Sequence, residues 1–344
     1  MSIKSVEGNL LQQQNVDAIV NTVNCVGVMG KGIALQFKKK WPSNYKAYAT
    51  ACKAGDVALG KMFIFELGAL ATPRFIINFP TKGHWRSDSR LKDIEAGLQD
   101  LVARIKELNI QSIAIPPLGC GNGGLDWEIV KPLMLRYLAD IPELDVYLYE
   151  PTDSIKAQDM QTSTPKPKMT PGRAAILALL QSYQSVSYGL SKIEVQKLAY
   201  FLQAAGEDMR LNFVKDKFGP YADALRHALN TMDGHYIQGV GDGVVESEIR
   251  PVETTLEDAK LFLASSNPEI SSRIARVTDL IEGYESPYGV ELLATVHWVA
   301  KQEHANTPEQ AFMAIQNWNE RKKSLMSLEH VTSAWEQLKS YDWI

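Results

Sequence analysis

The sequence predicts a three-layer α/β/α domain with a mixed central sheet, followed by a mainly α-helical second domain. Over residues 1–150, short β-branched runs alternate with amphipathic stretches, the pattern of a sheet covered by helices. Two of those runs end in glycine-rich loops, at residues 27–32 and 119–124. After residue 150 the alternation lapses into PTDSIKAQDMQTSTPKPKMTP, which reads as a linker over 151–170, and residues 171–344 then read as helices.

Taken in order, Ser2 to Gly8 alternates enough for a first strand, with a turn at Gly8, Asn9 and Leu10. Val16 to Val20 is a buried strand that leads into Asn21, Thr22, Val23 and Asn24. A glycine loop follows, and Ile33 to Lys40 reads as a helix with Ile33, Leu35 and Phe37 inward and three lysines at its end. Pro42 to Ala54 is a second helix, and Lys61 to Glu66 and Arg74 to Phe79 are strands. After Pro80 the chain turns polar: Thr81, Lys82, Gly83, His84, Trp85, Arg86, Ser87. Leu91 to Leu108 carries a helical stripe, Ser112 to Ile115 is a strand running into the glycine cluster, Trp127 to Ala139 is a helix and Val146 to Tyr149 a last strand. Beyond the linker, helices are expected at Arg173–Tyr183, Ser191–Ala205 and Pro220–Met232. A glycine-rich hairpin is expected around Tyr236–Pro251, and helices from Thr255 onward carrying Trp298, Trp318 and Trp335.

Composition narrows the function classes. No apolar run reaches the roughly 18 residues of a membrane span, and the amino-terminal MSIKSVEGNL has no apolar segment of a secretory signal, which predicts a cytoplasmic protein. Cys25, Cys52 and Cys120 form no C-x-x-C pair, an argument against structural disulfides and zinc. Charge is uneven: residues 1–170 hold 20 Lys and Arg against 17 Asp and Glu, and residues 171–344 hold 16 against 23. The first part tolerates anions and the second repels them.

The chemistry centres on Ile19 to Pro42, a strand feeding a glycine loop feeding a helix start. Glycines let the backbone approach an anion closely, and free N–H groups at the helix start favour phosphate. The same joint also serves any α/β protein that must turn a corner, and neither G-x-G-x-x-G nor G-x-x-x-x-G-K-[ST] is present. The second loop, GCGNGG at 119–124, holds four glycines in six residues, more than a tight connection requires. Two such loops at strand ends could cradle a pyrophosphate from both sides.

VNTVN, VGVMGKGIALQFKK and IPPLGCGNGGLDW, in this order and spacing, resemble the macrodomain family, which binds ADP-ribose. Within it, VMGKGIALQFKKKWP and INFPTKGHWR are most similar to the DNA ADP-ribosyl glycohydrolases that serve as antitoxins, and to a related human terminal ADP-ribose glycohydrolase. The resemblance implies that Asn9 contacts the adenosine end, that Asn21 and Asn24 hold the distal ribose, and that Thr81 lies in the binding segment. It implies that Gly30, Lys31 and Gly32, with Gly119, Cys120, Gly121, Asn122 and Gly123, wrap the diphosphate and distal ribose, and that Lys82 is catalytic. The human relative's catalytic aspartate falls on Gly123 here, and nearby Asp126 is not assumed to replace it.

Read from the residues, Lys82 follows a buried strand and is held close to the sheet end. Most lysines are solvated surface groups, but breaking an N-glycosidic bond needs either a nucleophile at C1 or a proton for the leaving base. A lysine of lowered pKa supplies either. His84, Trp85 and Arg86 combine an aromatic with cations, which suits a base and phosphates of single-stranded DNA, although Trp85 alone could simply cover the sheet end. Lys38, Lys39, Lys40 and Arg90 would extend a basic rim. In the second domain, KLAYFLQ and KFGPYADALRHAL resemble the SocA or Panacea-like domain of antitoxins, which implies a toxin-binding module over 171–344.

The expected activity is removal of ADP-ribose from ADP-ribosylated bases, thymidine foremost, in single-stranded DNA. Sequestration of a cognate DarT-like toxin through 171–344 is expected beside it. No cofactor or metal is expected, ADP-ribose being ligand and product. The competing readings are a non-catalytic ADP-ribose reader and a hydrolase of ADP-ribose esters on protein.

Overall fold

The computed structural model describes residues 2–13, 15–151, 160–183, 189–241, 247–265 and 268–344. They divide into two compact units, one within 1–165 and the other within 166–344. The first therefore reaches past residue 150: the Ser163 N–H donates to the Lys39 carbonyl at 2.9 Å, so the end of the stretch expected as linker belongs to it. The rest of that expectation falls partly on residues outside the described set.

In the first unit β1 (Ser2–Val6) is followed by a short 3-10 turn, Leu10–Gln12, which Asn9 caps by accepting from the Leu11 N–H at 2.9 Å. Then come β2 (Ala18–Asn24), α1 (Gly32–Lys40), α2 (Pro42–Ala54), β3 (Phe63–Glu66), β4 (Phe75–Lys82), α3 (Leu91–Glu107), β5 (Ser112–Ile115), α4 (Trp127–Leu138) and β6 (Asp145–Tyr149). The six strands lie in the order β1-β6-β5-β2-β4-β3. All pairings are parallel except that of the edge strand β3 with β4, so the sheet is mixed.

Both faces are covered, as near-continuous apolar strands require. Ile19, Ile76 and Ala114 face one way, into a core with Phe37 of α1. Val20, Ile77, Phe79, Ile113 and Ile115 face the other, against Ile94, Leu98 and Leu101 of α3 and Val130 and Met134 of α4. Gly97 interrupts α3 at a cost of about 1 kcal/mol in helix propensity. Its reason is steric, because a Cβ there would stand 2.2 Å from the Phe79 ring.

Two strands run further than their apolar runs. β2 continues through Asn21 to Asn24, and β4 continues through Pro80 and Thr81 to Lys82, where the sequence alone turns polar. The extension is possible because Asn21 Nδ2, Asn24, Thr81 and Lys82 find hydrogen-bond partners inside the unit. Pro80 lies past the last residue paired with β3, where its missing N–H forfeits no ladder bond on that side. Val23 pairs with Pro80 and Asn24 with Lys82, leaving Thr81 as an extra residue in a β-bulge. A bulge re-aims the side chain that follows it.

The second unit contains α5 (Pro171–Tyr183), α6 (Lys192–Ala204), β7 (Val214–Asp216), β8 (Gly219–Tyr221), α7 (Asp223–Met232), β9 (Ile237–Gln238), β10 (Arg250–Pro251) and α8 (Glu253–Ser265). It ends with α9 (Glu269–Ile281), α10 (Pro287–Gln302), α11 (Pro308–Gln316), α12 (Glu320–Leu325) and α13 (Leu328–Ser340). The helix expected from Pro220 begins only at Asp223, because Gly219 to Tyr221 pair with Val214 to Asp216 as a hairpin. The expected hairpin around 236–251 is present as the β9–β10 pair, its turn lying outside the described residues. Ser191 and Glu194 close a capping box on α6, and α6 and α10 bury most of their surface in one core with Phe201, Leu293, Val296 and Trp343.

That core also buries charge. Lys322, with no exposed surface, donates to Glu291 at 2.6 Å and to Thr295 at 3.0 Å, while Arg321 donates to the same carboxylate at 2.6 Å. Lys197 donates to the Pro220 carbonyl at 2.7 Å, and Gln196 exchanges two bonds with Ala222, so α6 holds the β7–β8 hairpin by side chains. Burial, with Lys322 nearby, pushes Lys197 down to about 7. Among the described residues no helix is long and apolar enough to cross a membrane.

Candidate active site

Because β5, β2 and β4 are adjacent and parallel, their carboxyl ends emerge at one end of the sheet, and each leads into a sequence-predicted segment: 119–124, 25–31 and 82–86. This is where open α/β sheets form crevices. The segments are tied together. The Cys25 N–H donates to the Gly83 carbonyl at 3.1 Å, and the Asn122 side chain closes on Gly32, where a Cβ would stand 3.0 Å from Nδ2.

Lys82 is half-buried at the centre of this arrangement. The bulge at Thr81 delivers it beside Asn24, and its Nζ donates to the Asn122 carbonyl at 2.8 Å, bridging β4 to the second glycine loop. Desolvation lowers its pKa from the ordinary 10.5, opposed by the charge of Asp88. Thr81 is buried, its hydroxyl turned to the Val23 carbonyl at 3.4 Å.

The two asparagines of β2 support the first loop. Asn24 Oδ1 accepts from the Val26 and Val28 N–H groups at 3.0 and 3.3 Å, its Nδ2 donates to the Val28 carbonyl, and Tyr48 donates to its main-chain oxygen at 2.5 Å. Asn21 is fully buried, donating to Asn78 at 2.9 Å; Asn78 in turn donates to Asn44 at 2.8 Å. The bond to Asn78 engages Asn21 Nδ2 alone, and Asn21 Oδ1 is buried with no hydrogen-bond partner among the described residues. Asn78, Asn44 and Tyr48 had no signal in the sequence beyond polar residues in apolar surroundings. Asn9 follows β1, three strands from β2 and about 14 Å away at the usual strand spacing.

Gly30 and Lys31 are exposed, and α1 starts at Gly32 without a side-chain cap, leaving its first N–H groups free of one. In the second loop, Gly119 adopts φ +72°, and Gly121 and Asn122 are exposed while Gly123 is buried. A Cβ on Gly123 would meet Ser89 Oγ at 2.3 Å and the Gly119 carbonyl at 2.5 Å. An aspartate is thus sterically excluded there. Asp126 is occupied as the cap of α4, accepting from the Glu128 N–H at 2.9 Å. Burial pushes the Cys120 thiol up to about 11, away from nucleophilic use at neutral pH. Ser89 has no signal in the sequence that singles it out. Here Arg90 takes the cap position without a side-chain bond, and Ser89 Oγ, 94 % buried, has no hydrogen-bond partner among the described residues.

His84, Trp85 and Arg86 are exposed next to Lys82. Trp85 keeps 45 % of its surface, with His84 stacked at 5.4 Å and the Arg86 guanidinium 4.5 Å from its ring centre. The lysines of α1 do not join them. That helix starts at the crevice and runs away from it, so Lys40 lies about 12 Å further along the axis. Lys38 rests over Tyr45, Lys39 is buried, and Lys40 donates to the Leu11 carbonyl. Arg90 is paired with Asp93 at 2.7 Å. The expected basic rim therefore shrinks to the 84–86 segment. Lys40 instead lines a cavity of about 630 Å³ with Trp41, Thr72 and Pro73, beside the segments leading into β2 and β4, away from the glycine loops.

A mixed sheet covered on both faces, with two glycine loops and a lysine at its strand ends, matches the family model described as Macro domain over residues 20–134. The first unit is a macrodomain. Along nearly its whole length the chain is similar to a DNA ADP-ribosyl glycohydrolase of Thermus aquaticus, 49% identical over 93% of this chain and 88% of the relative. A protein of the same name from Mycobacterium tuberculosis is 42% identical over 96% and 97%. The solved macrodomain of Mycobacterium tuberculosis DarG is 54% identical, covering 44% of this chain and 98% of its own, with a TM-score of 0.43. The chain belongs to the DNA ADP-ribosyl glycohydrolase family.

Proposed function

We propose that this protein removes ADP-ribose from bases of single-stranded DNA, thymidine foremost, and that its second unit holds a cognate DarT-like toxin in the cytoplasm. The observation that carries the first part is the position of Lys82, half-buried at the carboxyl end of β4 with its amine 2.8 Å from the Asn122 carbonyl. An anomeric carbon cradled by the loops at 27–32 and 119–124 would lie within reach of that amine. Desolvation disfavours the ammonium, which makes the neutral amine easier to reach than in a free lysine and favours a nucleophilic over an acidic role. The neutral amine then forms a bond to C1 as the glycosidic electron pair leaves with the base, which takes up the proton the nitrogen gives up; water afterwards replaces the lysine at C1, so that free ADP-ribose leaves and the amine is restored. Free N–H groups of the loops and the α1 start suit the diphosphate. Trp85 and Arg86 offer a stacking face and a cation for the flanking nucleotides.

The test is release of free ADP-ribose from an ADP-ribosylated oligonucleotide. Lys82→Ala is expected to abolish release while ADP-ribose affinity, measured by calorimetry, stays within a few fold, since ground-state and transition-state contacts are separable. Wild-type turnover in that variant would remove the lysine from the mechanism. Binding of ADP-ribose with no release by the wild-type protein would favour the reader instead, and release from a modified acidic peptide alone would favour the ester hydrolase.

The toxin reading is supported by the similarity of 197–203 and 217–229 to antitoxin domains and by the acidic balance of residues 171–344. An acidic surface can take the place of nucleic acid against a cationic partner, with an association that weakens as salt rises. Lys82→Ala is expected to bind the toxin as well as wild type does at low salt; failure of the wild-type protein to co-purify with it would end that reading.

A further inference from the structure

We propose that Ser89 is a positioning residue for Lys82, holding the 119–124 loop at the height at which Asn122 meets the lysine amine. The proposal rests on the reading of Lys82 as the residue of the glycosidic step.

Ser89 touches the loop at both ends. Its N–H donates to the Gly123 carbonyl at 2.9 Å, and its side chain fills the space where Cβ atoms on Gly119 and Gly123 would stand, 3.2 and 2.3 Å from Oγ. Between those glycines the loop is short and internally closed, Gly124 donating to Gly121 and Leu125 to Gly119, both at 3.0 Å. Those two bonds tie the loop together on either side of Asn122. Asn122 carries the carbonyl that accepts from Lys82 and the side chain that closes on Gly32. Ser89 therefore sets both contacts without touching either partner.

The second observation is the hydroxyl itself. It is 94 % buried and has no hydrogen-bond partner among the described residues, so for stability alone an alanine would serve better. What the oxygen does supply is volume under the loop. Removing it lets the loop settle toward the start of α3 and draws the Asn122 carbonyl away from the amine. A threonine adds a methyl to a side chain already packed into the space that Cβ atoms on Gly119 and Gly123 would need, and drives the loop the other way. Losing that acceptor weakens a bond that favours the ammonium, so the lysine would titrate lower still.

The experiment measures the full-length protein on an ADP-ribosylated oligonucleotide across pH, beside thermal unfolding. Ser89→Ala is expected to unfold at the wild-type temperature or above. Its kcat should fall about tenfold or more, as misplacement of a reacting group does, and its Lys82 inflection should move to lower pH. Ser89→Thr should lower kcat at least as far. Ser89→Ala with wild-type kcat and pH profile would overturn the proposal. So would a kcat that falls only in step with the folded fraction at an unmoved inflection, which is what a purely structural residue gives. Lys82→Ala, run in parallel, separates the layers: full turnover there removes the underlying reading and this one with it. An inactive Lys82→Ala beside an unaffected Ser89→Ala sinks this one alone.

Discussion

At the scale of single residues, the proposed mechanism rests on an amine kept partly out of water and a carboxylate that opposes the effect. Burial lowers the pKa of Lys82 and Asp88 raises it. If the neutral amine attacks, turnover rises with pH through an inflection below the ordinary 10.5. Replacing Asp88 with Asn removes the charge that favours the ammonium, so the inflection should shift further down and turnover at neutral pH should rise. A pH–rate profile checks this, and an inflection that stays put or moves upward would contradict it. The place of Lys82 at the sheet end is legible from the sequence, since it follows a buried strand and precedes a glycine. Asn21 is not legible in the same sense: a polar residue after an apolar run reads as the end of a strand, whereas here it continues the strand by bonding to Asn78. Ser89 leaves no sequence signal, because its role comes from two glycines thirty and more positions away.

At the scale of elements, the first-unit strands and helices were readable because period and β-branching agree with the sheet that forms, and the boundaries missed were those at the site. β4 gains three residues past Phe79 through a bulge that no period reveals. The sequence alone lets the three lysines at the end of α1 join a basic rim, and only the connection from β2 decides that the other end faces the crevice. In the second unit, the β7–β8 hairpin displaced the start of a predicted helix, since the side chains of Lys197 and Gln196 stabilise an extended Pro220 to Ala222 that local propensity does not favour. That arrangement has a cost that pH exposes. Lys197 titrates near 7 when folded and at 10.5 when free, so as pH falls from 10.5 toward 7 the unfolded chain takes up the proton first and stability declines. Below that window the loss is complete and constant. Lys197→Met should flatten this stretch of the stability curve, measured by denaturant unfolding between pH 7 and 10.5; a variant with the wild-type slope would show that the lysine is not its source.

At the scale of the whole molecule, each unit has its own hydrophobic core, one built on the sheet and one on α6 and α10. The composition changes after residue 150, while the first compact unit runs on to residue 165, with Ser163 bonded to Lys39. Calorimetry should resolve two unfolding transitions, and ADP-ribose at about 100 times its Kd should add about 2.7 kcal/mol to one of them alone. A single transition, or one that shifts as a whole, would count against independent cores. Two cores on one chain also set how the gene tolerates damage. If the second unit holds the toxin as proposed, a missense change that empties the sheet core would spoil one activity and spare the other, and a second allele damaged only around α6 and α10 would do the reverse. Expressed together as separate polypeptides, the two crippled alleles would make up each other's loss, so a locus that looks like one gene would behave in a complementation test as two.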